Sequence, residues 1–200
     1  MDIHKAINES DLETVKYIVS NQEQIYGDVA SEYALNYACE NGKLEIIKYL
    51  LDKVKEDIGY IDKYTVQLAS MEGHLDVVMY LCEADVIDIH PDEFNYTFQW
   101  AAQWAARNGN LEVVKYLHSY LQSKGAHIHT STAIYWASIK HHYEIVKFLL
   151  EIGANKSDVM CLDKYKKYIS FCEKMEKKIR DRAAKKIYYW WIPICYDLNR

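Results

Sequence analysis

One unit of eighteen residues recurs five times along the chain and constrains its fold more than any other feature. The fullest copy is AAQWAARNGNLEVVKYLH, residues Ala101–His118, and the other copies align with it at a central turn. This period is typical of a solenoid built from two-helix repeats. The sequence therefore predicts an all-α array of helix–turn–helix repeats over residues 1–156. The turn residues are Ser10, Gly42, Gly73, Gly109 and His141, separated by 32, 31, 36 and 32 positions.

The first half of each unit predicts a helix that ends in a left-handed turn. An alanine lies four positions before every turn residue, where two helices must approach closely. Glycine at three of the turns suits a left-handed C-terminal cap. Ser10 and His141 replace glycine in the first and fifth units, so we expect strain or looseness there. The alanines are Ala6, Ala38, Ala69, Ala105 and Ala137.

The second half of each unit predicts an amphipathic helix. Apolar residues recur at spacings of three and four, and in most copies a lysine follows an early acidic residue three positions later. One equivalent position is aromatic in all five units. Because each aromatic residue lies within the apolar face, we predict a ladder packed in the core rather than a binding stripe. This aromatic ladder is Tyr17, Tyr49, Tyr80, Tyr116 and Phe148.

Two of the units, ALNYACENGKLEIIKYLL and AAQWAARNGNLEVVKYLH, resemble ankyrin repeats of the divergent type found in giant DNA viruses of amoebae. The resemblance covers residues 2–156, and Gly153-Ala154-Asn155 matches the segment that closes an ankyrin repeat. It implies a non-catalytic protein–protein interaction module or an adaptor. The family's T-P-L-H start of the first helix is replaced here by Tyr33–Asn36, Tyr64–Gln67, Trp100–Gln103 and Thr132–Tyr135.

The resemblance also implies where a partner binds. In the ankyrin register the residue before each alanine faces a concave groove, and the two residues before each turn point the same way. Tyr, Trp and Arg are the residue types that carry most interface energy. The alternative is that Trp104 and Trp136 pack between neighbouring inner helices. The predicted partner-binding residues are Tyr37, Glu40, Leu68, Met71, Trp104, Arg107, Trp136 and Lys140, with Lys5 at the equivalent position of the first unit.

The connections between units differ in length. Asp52–Tyr64 and Ser119–Thr132 are long enough for the projecting hairpin or loop that the ankyrin fold implies. Glu83–Gln99 is longer, and Pro91 and the aspartates around it interrupt a helix. We therefore predict an enlarged loop at Glu83–Gln99, on the binding side and weakly protected from hydrogen exchange.

The charge of the chain is divided unevenly. Residues 1–160 carry a net charge of −11, whereas residues 161–200 carry +6. An acidic array repels phosphate, so nucleic acid is disfavoured as a partner. The same field favours a protein partner with a basic patch.

The last part of the chain has a different pattern. Residues 158–192 contain no glycine or proline, and apolar residues recur there with helical spacing. We predict a helical C-terminal cap and a basic, aromatic tail over residues 157–200, the first part covering the fifth repeat. As an alternative function, the basic amphipathic segment 174–191 could bind a membrane surface or calmodulin.

The motif content argues against an enzyme. The chain has no G-x-S-x-G, H-E-x-x-H, phosphate-binding loop or dinucleotide glycine motif. Its five cysteines include no C-x-x-C pair, which argues against disulfides and a zinc ribbon. We therefore expect no metal and no cofactor. His127, His129, His141 and His142 lack acidic or cysteine partners at ligand spacing and are predicted to be surface residues.

The sequence also bears on where the protein acts. It has no run of about 18 apolar residues, the length that spans a bilayer. Met1–Ser10 lacks the apolar core of a signal peptide. We expect a soluble, intracellular, cytoplasmic protein, acting in the host cell if it is viral.

A substitution of Ala105 tests the predicted helix contact. Ala105→Leu should lower the free energy of unfolding of the whole array, because overpacking one helix contact costs roughly 1–3 kcal/mol. Thermal unfolding followed by circular dichroism measures the effect. An unchanged melting temperature would show that this position is not at a helix contact.

Overall fold

The computed structural model of the chain describes residues 2–26, 29–57, 64–83, 91–160, 166–167, 170, 174 and 177. The chain divides into two compact units, Met1–Met160 and Cys161–Arg200. The described part of the first unit is helical. Its α-helices are α1 (Ile3–Asn8), α2 (Leu12–Tyr26), α3 (Val29–Glu40), α4 (Leu44–Asp57), α5 (Tyr64–Glu72), α6 (Leu75–Glu83), α7 (Pro91–Asn108), α8 (Leu111–Ser123), α9 (Thr130–Ile139) and α10 (Tyr143–Glu151), and a 3-10 helix follows at Lys156–Asp158.

The helices pair as the repeat predicts. In each repeat an odd-numbered inner helix precedes the turn, an even-numbered outer helix follows it, and the two are in contact. The inner helices also contact one another in order, from α1 through α3, α5 and α7 to α9. Among the outer helices, α2 contacts α4, α6 contacts α8 and α8 contacts α10. The predicted all-α helix–turn–helix solenoid is therefore confirmed.

The five turns share one backbone conformation. Each predicted turn residue has a positive φ, including the non-glycine residues Ser10 at 58° and His141 at 64°. In every repeat the amide after the turn residue donates to the carbonyl of the alanine four positions before the turn, at 2.9–3.0 Å. This hydrogen bond closes a Schellman cap, which satisfies a carbonyl at the end of the inner helix.

A second set of hydrogen bonds joins each turn to the turn before it. The side chain of the residue directly after a turn donates to the backbone carbonyl two positions before the preceding turn residue. Because a carbonyl oxygen only accepts, the histidine Nε2 atoms in these bonds carry the proton. We call these four bonds the turn ladder. They are Lys43 Nζ to Asn8 O at 3.0 Å, His74 Nε2 to Glu40 O at 2.9 Å, Asn110 Nδ2 to Met71 O at 2.8 Å and His142 Nε2 to Arg107 O at 3.0 Å.

Glycine at the central turns leaves room for the turn ladder. A Cβ atom added at Gly73 would lie 2.7 Å from Oδ1 of Asn110. An added Cβ would lie 2.5 Å from the His74 ring at Gly42 and 2.7 Å from the His142 ring at Gly109. Ser10 fits at the first turn because its hydroxyl accepts a hydrogen bond, at 3.1 Å, from the flexible side chain of Lys43 in the second repeat. At the three central turns glycine is thus favoured by space as well as by positive φ.

The predicted small residues lie buried in the array. The alanines four positions before the turns are at most 3% exposed, and those of the second to fifth repeats are fully buried. Larger apolar residues of both helix types complete the core around them, including Leu35, Ile47 and Leu117. The helices can approach closely because the alanine row adds almost no bulk between them.

The loop predicted over Glu83–Gln99 is wrong for the part that is described. Helix α7 begins at Pro91, so residues 91–99 form its first half. Thr97 and Phe98 are each 1% exposed, and the Phe98 ring lies 5.1 Å from that of Tyr120. Proline is well suited to the first position of a helix, because that position needs no amide hydrogen bond. Slow rather than fast hydrogen exchange is therefore expected in the second half of the segment.

The two other connections are shorter than predicted. Helix α4 continues to Asp57, and α8 continues to Ser123, so both cover the first part of the segments predicted as loops. In the extended part of α8, the Tyr120 ring contacts the aromatic rings at the start of α7. The remainder of the first connection, residues 58–63, lies outside the described residues.

The predicted burial of the aromatic ladder is also wrong. Tyr17 is 63% exposed, and the other four ladder residues are half-buried. Lys16 Nζ lies 5.9 Å from the Tyr49 ring, and Lys48 Nζ lies 5.8 Å from the Tyr80 ring. The ladder therefore joins repeats at the edge of the outer helices, through contacts between a lysine and an aromatic ring of the next repeat.

The segment after the fifth repeat packs against that repeat. Gly153 turns the chain with a φ of 104°, and Asn155 Oδ1 accepts a hydrogen bond from Ser157 N at 3.0 Å. Met160 N then donates to Oγ of the buried Ser138 at 2.9 Å. The 3-10 helix contacts α9. The chain that leaves the array is thus hydrogen-bonded to its last inner helix.

Five residues of the second unit are described. Lys166, Lys167, Ser170, Lys174 and Lys177 are helical, and their side chains are exposed. The rest of the predicted cap and basic tail, including most of residues 174–191, lies outside the described residues. The cap and the tail therefore stay predictions.

A matched pair of glycine substitutions tests the stacking of the turns. Gly73→Ala should lower the free energy of unfolding by roughly 2–5 kcal/mol, since left-handed alanine costs about 1–2 kcal/mol and overpacking about 1–3 kcal/mol. Gly125 also has a positive φ, 73°, but an added Cβ there has no atom within 4 Å. Gly125→Ala should therefore show only the smaller, conformational loss. Equal losses in urea denaturation would contradict the steric role of the turn glycines.

Candidate functional site

One face of the inner helices holds the predicted partner-binding residues. Positions nine, five and two before each turn residue are about one helical turn apart, so they share a side of the helix. We call this surface the inner-helix face. The structure places seven of the predicted residues on it with accessible side chains: Tyr37, Leu68, Met71, Trp104, Arg107 and Trp136 are half-buried, and Glu40 is exposed. Lys140 is also exposed but lies one position before its turn, at the C-cap of α9, and is not part of this face.

Three of the predicted residues meet in one cleft. The Arg107 guanidinium carbon lies 4.8 Å from the ring centroid of Trp104 and 4.9 Å from that of Trp136. Trp100 and Gln103 complete the lining, and the cleft encloses about 60 Å³. We call it the Arg107 cleft. It lies between α7 and α9 and is built from the fourth and fifth repeats together.

The turn ladder holds the backbone beneath this cleft. The carbonyl of Arg107 accepts the hydrogen bond from His142 of the fifth repeat. On the other side, the side chain of Asn108 donates to the carbonyl of Met71 in the third repeat, at 2.9 Å. The backbone that carries the arginine is therefore fixed from both neighbouring repeats, which favours a preformed cleft.

The remaining predicted residues do not join the Arg107 cleft. Tyr37 belongs to a separate cluster at the first repeat, where its ring lies 4.4 Å from that of His4 and its hydroxyl accepts a hydrogen bond from Asn8 Nδ2 at 3.0 Å. Glu40 contributes its backbone carbonyl to the turn ladder. Leu68 and Met71 lie between the two clusters, on α5.

Sequence reasoning missed an exposed aromatic row on the same face. Tyr33, Tyr64 and Trp100 lie nine positions before their turns and are 57%, 54% and 50% exposed. One helical turn earlier on α7, Tyr96 is 66% exposed. The signal was in the repeat register, because these three aromatic residues begin the segments that replace T-P-L-H.

The histidines and cysteines described here take part in the packing and hydrogen bonding of the array. His142 is part of the turn ladder, and His141 Nδ1 is hydrogen-bonded to the Tyr143 hydroxyl at 3.0 Å. Within the described ranges, no three His, Cys, Asp or Glu side chains are grouped as a metal site would require. Burial raises the pKa of the Cys82 thiol to about 12 and that of the Cys39 thiol still further, which disfavours the reactive thiolate at both.

None of the described helices combines the length and the apolar character that crossing a bilayer requires.

Comparison with known families identifies the repeat. A family model described as ankyrin repeats, in three copies, matches residues 3–95 and 91–160. The chain belongs to the ankyrin-repeat family. Its ankyrin array is 30% identical over 108 residues to the ankyrin repeat protein L66 of Acanthamoeba polyphaga mimivirus. The match spans 54% of this chain and 16% of that relative.

The family has a known general role. Ankyrin repeats are generally protein–protein interaction modules. The resemblance to ankyrin repeats stated from the sequence is thus confirmed, and the relative comes from a giant virus of an amoeba, the predicted source type. Accessible aromatic and arginine side chains on the inner-helix face suit such a role, since these residue types dominate interface energies.

Truncation of a cleft tryptophan tests its partial burial. Trp136→Ala should lower the free energy of unfolding by about 1–2 kcal/mol, because part of the side chain already contacts solvent. Phe98→Ala removes a fully buried ring and should cost about 3–5 kcal/mol. Urea denaturation of the two variants measures the difference. Equal losses would place Trp136 in the core.

Proposed function

We propose that this ankyrin array is a non-catalytic interaction module or adaptor that binds a protein partner on its inner-helix face. The observation that carries the proposal is the Arg107 cleft, which combines three tryptophans and an arginine in an open, preformed site. The tryptophans bury large areas with little loss of side-chain freedom, and tryptophan and arginine are both enriched among the residues that carry interface energy. The exposed Tyr33 and Tyr64 extend the aromatic surface along the earlier repeats.

The charge of the array supports a partner with a basic patch. Residues 1–160 carry a net charge of −11, so at encounter distances the array attracts a positively charged surface. This attraction acts mainly on the rate of association and is screened by salt. The association rate constant should therefore fall as ionic strength rises.

The alternative function places binding in the basic segment 174–191, on a membrane surface or on calmodulin. Few residues of that segment are described, and none of the contacts in the first unit favours it. The inner-helix face is the better supported site, because the described residues provide both the aromatic groups and the cleft. A partner that acts inside the host cell is consistent with the viral relative.

Comparative capture of a partner tests the proposed face. Wild-type chain and the variants Trp104→Ala and Trp136→Ala would be used to capture proteins from an Acanthamoeba polyphaga lysate. A partner recovered by wild type should be lost, or reduced about tenfold or more, with both variants, as for hot-spot residues worth 2 kcal/mol or more. Mass spectrometry quantifies the recovered proteins.

Tyr17→Ala is the matched control for this experiment. Tyr17 is also an exposed aromatic residue, 63% accessible, but it lies on the outer helix α2. The Tyr17→Ala variant should leave recovery of the partner unchanged. If the control abolishes recovery and the tryptophan variants do not, the binding face lies on the outer helices instead.

A further inference from the structure

The Arg107 side chain has unused hydrogen-bonding capacity. Its guanidinium carries five N–H donors. In the described part of the chain it makes no ion pair and donates no hydrogen bond, and its contacts are the rings of Trp104 and Trp136. Those rings interact with its charge through their π faces and accept none of its N–H groups as ordinary hydrogen bonds. The donors are therefore left for an acceptor that enters the cleft.

The aromatic contacts also prepare the guanidinium for binding. An arginine side chain normally loses rotamer freedom when it binds an anion. Here two tryptophan rings already restrict it, and its own backbone is held by the hydrogen bond from His142. Less entropy is lost on binding when the donor group is placed in advance.

We propose that the Arg107 cleft receives a single carboxylate side chain, an Asp or Glu of the protein partner. This inference rests on the proposed binding role of the inner-helix face and specifies the chemistry of one contact there. A carboxylate matches the planar guanidinium fork with two parallel hydrogen bonds. The surrounding tryptophan rings take the methylene stem of the acidic residue or a neighbouring apolar residue.

Size and charge favour a carboxylate over the other groups that an arginine or a set of tryptophans can bind. The cleft encloses about 60 Å³, which suits one small side-chain group. A phosphorylated side chain or a nucleic acid brings more negative charge toward an array whose net charge is −11. A lysine or methylated lysine would meet the positive charge of Arg107. A single carboxylate brings less negative charge than a phosphate and pairs with Arg107 instead of repelling it.

An acidic anchor residue is compatible with a partner that is basic elsewhere. The net charge of the array acts at long range and steers the encounter, whereas Arg107 acts only at hydrogen-bond distance. The cleft thus adds selectivity at one position of the partner. A partner without an acidic residue there would bury the arginine donors unpaired, which weakens binding.

Peptide selection on the full chain tests this inference. A display library of random twelve-residue peptides would be selected on immobilised wild-type protein, and the dissociation constants of enriched peptides measured. Enriched peptides should share one Asp or Glu. Replacing that residue by its amide should weaken binding about tenfold or more, the effect of losing a charged hydrogen-bonded pair. This change is made in the peptide and cannot unfold the protein.

The protein variant Arg107→Gln completes a double-mutant cycle. It should weaken the acidic peptide about as much as the amide replacement does, and the amide peptide should lose little more on the variant. Lys147→Gln is the control, since it removes the same charge from an exposed position of the outer helix α10. The control should leave the dissociation constant within about twofold, because exposed charges contribute little.

The outcomes separate this inference from the proposed function. If Trp104→Ala and Trp136→Ala abolish peptide binding but the cycle shows no coupling between Arg107 and an acidic residue, the carboxylate contact is overturned and the binding face stands. If none of these variants changes the dissociation constants, the binding face is overturned with it. Failure of the wild-type chain to enrich any peptide would also overturn both.

Discussion

The array depends on the hydrogen bond from the residue after each turn to the turn before it. Helix pairs in a solenoid bury their apolar faces only against neighbouring pairs, so the relative placement of successive repeats decides the core. The turn ladder fixes that placement at one end of every inner helix. It works because the glycine turns leave space for the incoming histidine or asparagine side chain. The turn glycine therefore satisfies two requirements, the backbone conformation of the turn and the packing between repeats.

The parts of the fold that depend on local rules could be predicted from the sequence. Positive φ at the turns and burial of the alanine row follow from residue type and register, and both are observed. The errors arise where the pattern allows two structures. Pro91 ends a helix or begins one with equal ease, and only packing of Phe98 against α8 decides between them. The burial of Tyr17 likewise depended on where the edge of the outer helix lies, which helical periodicity does not specify.

For the candidate site, the sequence predicted the inner-helix face but not the Arg107 cleft within it. Trp104 and Arg107 share a helix, so their proximity could be read from a spacing of three residues. The contact of Arg107 with Trp136 joins residues of different repeats, and it depends on how closely α7 and α9 approach. Trp100 was overlooked because its position in the family pattern normally serves to start the helix. In the structure the helix begins earlier, at Pro91, and Trp100 is an exposed residue within it.

The position of the Arg107 cleft across two repeats links binding to the integrity of the end of the array. The cleft exists only while the fifth repeat is stacked on the fourth, because Trp136 and His142 belong to one and Arg107 to the other. Terminal repeats of a solenoid open more readily than central ones. A ligand bound in the cleft would oppose that fraying by mass action, more strongly as its free concentration rises above its dissociation constant. The fraction of molecules in which the fifth repeat is stacked on the fourth would thus depend on two quantities, the stacking energy of that repeat and the concentration of the ligand.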